Sequence, residues 1–470
     1  MGLISFDKYK TSKKELIGKY PHHWNLSLIK YETYVKARVG WHGLKSDDFT
    51  EEGPYLVTGT DFQSDNINWE GCYHCDIVRY EQDPFIQLKN GDLLITKDGT
   101  IGKVALVSGL DNNEKATLNS GIFVVRPLKE NISTRYYFWL LQSSLFSDFI
   151  NYHKQGSTII HLYQDTFLNF SFPFPELKEQ NKIVAYLDRY ILKTNNLIIK
   201  LQKLIELLNE KRQAMISHAV TKGLDPDVPM KDSGVEWLGQ VPTHWSISKV
   251  RYCFLFDKGL TITKENLQDE GIPCINYGEI HSRYGFEINP NIHKLKYVNE
   301  THLKNDKNSL LIKGDIIFAD TSEDVNGSGN FSQLTTDSSI FAGYHTIIAR
   351  PIDRQNYRFL AYLFDCQELR SQIKHAVKGV KVFSITQAIL RGLSIWLPPT
   401  NEQESISKLL DYQTAKIDTL IQKQLKQIEL LKERRTALIA AAVTGKIDLR
   451  DWTPPASSTE TSLTAEEATA

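Results

Sequence analysis

Across residues 176–222 the chain contains no proline or glycine, strong helix formers dominate, and apolar side chains recur on a 4-3 spacing. Positions 183, 187, 190, 194, 197, 201, 204, 208, 211 and 215 hold Ile, Leu, Tyr, Thr, Leu, Leu, Leu, Leu, Lys and Met, eight of them apolar. Such a stripe predicts one long helix with a coiled-coil seam carried by Ile183, Leu187, Leu197, Leu201, Leu204 and Leu208. A second uninterrupted stretch, 402–444, predicts a similar helix whose seam includes Ile406, Leu410, Ile417, Leu420, Leu431 and Leu438. Elsewhere the apolar runs are short. Strand-like segments at 92–96, 104–107, 122–125 and 315–318 alternate with helical ones at 134–150 and 357–374, which predicts mixed α/β domains.

The two long stretches are copies. Shifted by 223 residues, 175–225 falls on 398–448 without a gap, and 23 of 51 positions are identical where chance gives about three or four. Glu179/Glu402, Gln180/Gln403, Asp188/Asp411 and Arg212/Arg435 are among the matches. At an offset of 221, Ser12, Glu15, Gly18, Pro21, His23 and Trp24 meet Ser233, Glu236, Gly239, Pro242, His244 and Trp245. Each unit therefore opens on ExxGxxPxHW and closes on PxxxEQ followed by its helix. Between these landmarks the halves agree weakly, apart from Gly91-Asp92 with Gly314-Asp315, Arg126-Pro127 near Arg350-Pro351, and Gly156 with Gly379.

A helix of this length runs about 65 Å, and a lone apolar stripe on it would remain in water. The two helices are therefore expected to pair with each other. Residues 223–401 leave one end of the first helix and return to the start of the second, so antiparallel pairing with a pseudo-two-fold axis is expected. The predicted plan is a first α/β domain at 1–175, a helix at 176–222, a linker at 223–240, a second domain at 241–401, a second helix at 402–446 and a tail at 447–470 whose Ser/Thr/Ala-rich end is disordered.

Composition changes this picture little. The chain has 470 residues with 55 basic and 56 acidic side chains, a net charge of −1, so a nucleic-acid surface would have to be local. The helices carry the positive excess, with 9 basic and 5 acidic residues in 176–222. No apolar run approaches a membrane span, the first residues lack a signal-peptide core, and five cysteines cannot all pair, which points to a reduced, cytoplasmic protein.

Enzymatic motifs are not found. An amino-methyltransferase tetrapeptide is missing, because Pro398-Pro399 precedes Thr400 and Pro454-Pro455 precedes Ala456. The run Gly99 to Lys103 resembles a phosphate loop faintly, but its glycines are too close and Val104 occupies the magnesium-binding Ser/Thr position. A tight turn fits better. Cys72 and Cys75 have CxxC spacing without a second pair of soft ligands, so buried thiols outweigh a zinc half-site. His23-Trp24 and His244-Trp245 read as anchors of each domain's opening segment rather than as catalytic groups.

Several stretches then identify a family. TKGLDPDVPMKDSGVEWLGQVPTHW (221–245), GDLLITKDGTIG (91–102), FPFPELKEQNKIVAYLD (172–188) and the two PxxxEQ helix starts resemble the specificity subunit of Type I restriction-modification enzymes, over residues 10 to about 450. The resemblance implies two target-recognition domains and two spacer helices that bind a bipartite, asymmetric double-stranded DNA sequence and do no chemistry. It also implies two modification subunits that methylate adenine with S-adenosylmethionine, and two restriction subunits using ATP and Mg, with no cofactor in this chain and no membrane contact. The alternative is a coiled-coil scaffold that joins protein partners without reading DNA.

Base and phosphate contacts need Lys, Arg, Ser, Thr, Asn or Gln on loops. The candidates in the first domain are Thr96, Lys97, Asp98, Thr100 and Lys103, with Lys154, Gln155, Gly156, Ser157 and Thr158. In the second domain they are Lys374, Lys378, Gly379 and Lys381, a suggested phosphate clamp. There ADTSEDVNGSG replaces KDGTIGK, so Lys97 has no basic counterpart and the second domain belongs to a different recognition class.

Overall fold

A computed structural model describes residues 5–38, 48–63, 65–153, 161–377, 379 and 382–454. The chain divides into two units, one made of Met1–Leu201 and Lys426–Ala470, the other of Gln202–Leu425. Both unit boundaries fall inside the long helices, Leu177–Lys222 and Thr400–Val443. Each unit thus owns the first half of one helix and the last half of the other.

The first unit is built on an antiparallel sheet in the order Val104–Leu106, Leu93–Thr96, Ile122–Pro127, Thr33–Lys36. A three-stranded sheet centred on Phe49–Val57 lies in the same unit. Helices Thr134–Leu141 and Ser144–His153 follow, and their aromatic run Tyr136 to Trp139 is fully buried. Strand Ser171–Phe174 pairs with Asn25–Leu28 just before the first long helix begins.

The second unit repeats this plan. Its main sheet runs Phe254–Lys258, Thr346–Pro351, Ile316–Ala319, Phe331–Leu334, Phe286–Ile288, and its helices Tyr357–Asp365 and Gln367–Ala376 stand where the first unit has its pair. The strand Phe286–Ile288 is added here in parallel to Phe331–Leu334. The mixed α/β domains with a long helix after each agree with the pattern read from the sequence.

Within the first unit, Ile183, Tyr186, Leu187 and Ile191 share a core with Ile439, Ala442 and Val443. The start of one helix packs with the end of the other, so the two run antiparallel. In the second unit Ile216, Ala219 and Val220 share a core with Ile406 and Leu410 in the same sense. The seam follows the sequence in part. Ile183, Leu187, Leu201, Ile406, Leu410 and Ile417 are buried, and Leu208, Leu431 and Leu438 are half-buried. Leu197, Leu204 and Leu420 are exposed; Ile198 is buried, and Ile205 and Ile421 are half-buried, in their places. In the first helix the inward positions are 191, 194, 198, 201, 205, 208 and 212, a 3-4 spacing that shares 194, 201 and 208 with the sequence reading and moves the alternate positions by one residue. The run Leu197-Ile198-Ile199 is apolar throughout, so periodicity alone does not choose among its members.

Repeated motifs fasten each helix to its domain. His23 Nε2 lies 3.0 Å from Glu179 Oε2, and His244 Nε2 lies 2.7 Å from Glu402 Oε2, where Trp245 Nε1 also donates at 3.1 Å. The opening motif and the PxxxEQ motif are thus two halves of one latch. A second latch joins Arg135 Nε to Asp188 at 2.9 Å, with Trp139 Nε1 donating to the same oxygen at 2.8 Å. Its copy joins Arg358 Nε to Asp411 at 2.7 Å, with Tyr362 Oη donating at 2.7 Å. The ends of the helices are held too: Arg212 pairs with Asp365 at 3.2 Å, and Arg435 donates to Gln142 at 3.3 Å. No helix among the described residues is long and apolar enough to cross a membrane.

Candidate nucleic-acid interface

The sheet of each unit ends in a loop at the same place. Backbone bonds from Thr96 to Lys103 and from Ala319 to Asn330, both 3.0 Å, close loops of different length, 97–102 and 320–329. The residue that opens each loop is held identically. Lys97 N–H donates to Gly121 and its carbonyl accepts from Leu162; Asp320 N–H donates to His345 and its carbonyl accepts from Ile385. Lys97 and Asp320 therefore occupy one backbone station with opposite charge.

The loops close on equivalent glycines. Gly102 and Gly329 have φ of +84° and +88°, a region that L side chains rarely adopt. A Cβ on Gly102 would sit 2.9 Å from Ile150, and one on Gly329 2.9 Å from Ile373, so each loop lies flat on its own helix.

Beneath the loops an Asp-Arg pair sets the strand. Arg126 makes a two-pronged contact with Asp92, both bonds 2.7 Å, and donates to the carbonyls of Phe85 and Gln87. In the second unit Arg350 donates to the carbonyls of Asn308 and Leu310, while Arg354 takes over the bond to Asp315 at 2.9 Å. Asp92 and Asp315 each cap a turn, accepting from Lys89 N–H and Ile312 N–H at 2.9 Å. Burial pushes the Asp315 carboxyl upward against the pull of the two arginines.

The predicted contact residues sort by what they already bond. Thr96 is buried; its hydroxyl donates to Thr100 O at 2.6 Å and accepts from Lys103 N–H at 2.9 Å, so it shapes the loop from inside. Lys97 is half-buried with its ammonium 5.5 Å from the Phe123 ring centre. Thr100 and Lys103 are exposed. Asp98 is bonded to His161. Among the described residues Lys97 and Lys103 have no carboxylate partner. In the second unit Lys374 donates to Asn326 of the loop at 3.0 Å, and Gly379 is exposed. Lys154, Gln155, Gly156, Ser157, Thr158, Lys378 and Lys381 lie outside the described residues.

The structure adds groups that sequence reasoning did not single out. His281 Nε2 bonds Thr321 O at 2.8 Å, its Nδ1 faces Asn330 Nδ2 at 3.0 Å, and Arg370 donates to Asn330 Oδ1 at 3.1 Å. This chain of bonds braces the longer second loop from two sides. His345 Nδ1 lies 3.2 Å from Asp320 Oδ1. The signal was available in the Gly-Asp and Arg-Pro landmarks, which bracket loops 97–102 and 320–329.

Cys72 and Cys75 are buried thiols, and burial beside Asp61 pushes Cys72 up to about 12. The thiolate that a metal requires is thereby disfavoured.

Comparison with known proteins places this architecture. The 445-residue match to the MjaVIII specificity subunit of a Type I restriction enzyme from Methanocaldococcus jannaschii is 22% identical and covers 93% of this chain and 96% of that protein. A putative Type I restriction enzyme MjaX specificity subunit of the same organism is 24% identical, over 95% of this chain and 99% of that one. A solved structure described as showing complex assembly and conformational transition of the type I R-M system superposes with a TM-score of 0.68 at 16% identity, over 91% of this chain and 99% of that chain. The family described as Type I restriction modification DNA specificity domain matches residues 43–207 and again 242–430, once in each half of the duplicated plan. With two such matches spanning most of its length, the chain belongs to the Type I restriction modification DNA specificity family.

Proposed function

We propose that this chain is the DNA-reading subunit of a Type I restriction-modification complex. Its recognition domains, residues 1–175 and 241–401, bind the two unlike halves of an asymmetric, bipartite site on double-stranded DNA. The observation that carries this reading is the shared backbone station at the loop openings, filled by Lys97 in one unit and Asp320 in the other. A fold that only joined proteins has no need for two loops opened from one backbone station by residues of opposite charge. Reading two different sequences requires that difference.

Lys97, Thr100 and Lys103 are assigned to DNA, with Asp98 set by His161 and Thr96 holding the loop's shape. Lys154 to Thr158 in the first domain, and Lys374, Lys378, Gly379 and Lys381 in the second, supply further backbone contacts. Phosphate contacts fix register and base contacts fix sequence.

Two modification subunits and two restriction subunits complete the assembly. The long helices present apolar side chains outward, among them Leu192, Ile199, Leu207, Leu409, Tyr412 and Leu430, and this surface suits the modification subunits. S-adenosylmethionine, ATP and Mg belong to those partners. This chain contributes position and sequence choice, in the cytoplasm, and no bond-breaking chemistry.

The test is co-expression with modification subunits in a host without adenine methylation, followed by mapping of methylated adenines. One bipartite motif with two dissimilar halves is expected. Methylation without sequence preference, or assembly that retains no DNA, would return the chain to the scaffold reading.

A further inference from the structure

We propose that Asp320 and His345 form the base-reading corner of the second unit, in which the Asp320 carboxylate accepts a hydrogen bond from the exocyclic amine of a cytosine or an adenine in the major groove. The inference rests on the DNA-reading role above and assigns the chemistry of one position within it.

Asp320 has its backbone fully committed, N–H to His345 and carbonyl from Ile385, so only its side chain differs in kind from Lys97 at the same station. That side chain is not used for folding in the way that Asp92 and Asp315 are, which cap turns and pair with arginine. Among the described residues its carboxylate bonds only the imidazole of His345, at 3.2 Å, and it stays partly open to solvent.

His345 is held for this purpose. It is one of two non-glycine residues with positive φ among the described residues, at +55°, and it is exposed. Such a backbone is strained for a side chain other than glycine, so the surrounding structure must hold it. Neighbouring packing holds it there: the Tyr277 ring meets the imidazole edge-on at 5.3 Å, and Thr346 Oγ1 bonds the Gly343 carbonyl at 2.6 Å across the same turn. Its counterpart by backbone bonding in the first unit is Gly121, which carries no side chain and does not share the positive φ.

A carboxylate set against a polyanion is repelled unless it meets a donor. The base edges in the major groove offer two exocyclic donors, cytosine N4 and adenine N6. The imidazole fixes the carboxylate's rotation and leaves its other oxygen free to accept. Lys97, at the same station in the first unit, has the opposite preference and suits the acceptors of guanine.

The experiment uses the complete complex with its modification subunits and measures methylation of duplexes in which each position of both half-sites is varied in turn. Asp320→Asn, which both donates and accepts, should lose about tenfold preference at one base pair carrying cytosine or adenine, all in one half-site. His345→Gly, which suits the local backbone, should relax that same pair. Lys97→Met serves as the reference and should act in the other half-site only. Unchanged preference at every position in both Asp320→Asn and His345→Gly overturns the assignment, as does relaxation in the half-site that Lys97→Met alters. If Asp320→Asn does not fold, the His345→Gly profile decides alone. A wild-type complex that methylates without any preference overturns the DNA-reading role itself, and this corner with it.

Discussion

Replacing Arg358 by methionine keeps most of the side chain's apolar length and removes its guanidinium from the second unit's helix latch. That group donates to Asp411 and to Glu287 at 2.7 Å each and lies 4.7 Å from the Phe286 ring centre. A hydrogen bond to a charged partner contributes about 1.5–3 kcal/mol when buried. Here the two carboxylates are 45% and 44% exposed, so about 1 kcal/mol each is appropriate. Loss of the cation–π contact adds about 1 kcal/mol, for a total near 3 kcal/mol. For a unit of this size each kcal/mol lowers Tm by about 2–4 °C, so calorimetry of the full chain should show a fall of about 6–12 °C. A double-mutant cycle with Asp411→Asn should return a coupling of about 1 kcal/mol, and the matching cycle on Arg135 and Asp188 should give a similar value. A fall under about 2 °C together with strict additivity would refute the latch as a source of stability.

Gly259→Ala should destabilise the second unit by more than about 3 kcal/mol, because the new Cβ would overlap the Gly343 carbonyl and Thr346 Oγ1, whereas Gly278→Ala, with open space around it, should change stability by less than about 0.5 kcal/mol; urea unfolding distinguishes the two. Thiol titration with an aromatic disulfide at pH 8 should label native protein slowly, with Cys253 first as the half-buried member, since burial raises the thiols and holds Cys72 at about 12. Rapid labelling of Cys72 before unfolding would contradict that packing.

The sequence displayed the duplication, both helices and the antiparallel order because each rests on a feature that survives drift: a gapless offset, a proline-free stripe and the chain's connectivity. It showed both halves of the His23/Glu179 latch without showing that they meet, since 156 residues separate them. The seam was half legible. Thr194, Leu201 and Leu208 follow the spacing, but tertiary packing chose Ile198 over Leu197 within an apolar triplet, and periodicity carries no information on that choice. The loops were the least legible part. Thr96 has the chemistry of a base reader, yet its hydroxyl is consumed by Thr100 and Lys103, and only coordinates reveal such a bond. The offset of 223 already sets Lys97 against Asp320, but it does not show that both residues open their loops through the same backbone bonds or that His345 meets the Asp320 side chain.

The uneven division of the chain between the units has a consequence for biosynthesis. The second unit is one continuous stretch, whereas the first waits for the last residues to be made: Tyr136 Oη bonds Val443 O, Lys182 Nζ bonds Trp452 O, and Gly445 packs against Pro21. At about 5–20 residues per second, the ribosome needs on the order of 10–50 s to go from the end of the first half-helix to the segment that covers it. Over that interval the apolar face around Ile183, Leu187 and Ile191 stands uncovered. The half that is translated first is therefore the half that matures last, and a nascent chain stalled before residue 439 presents a sticky surface to chaperones that the finished protein hides.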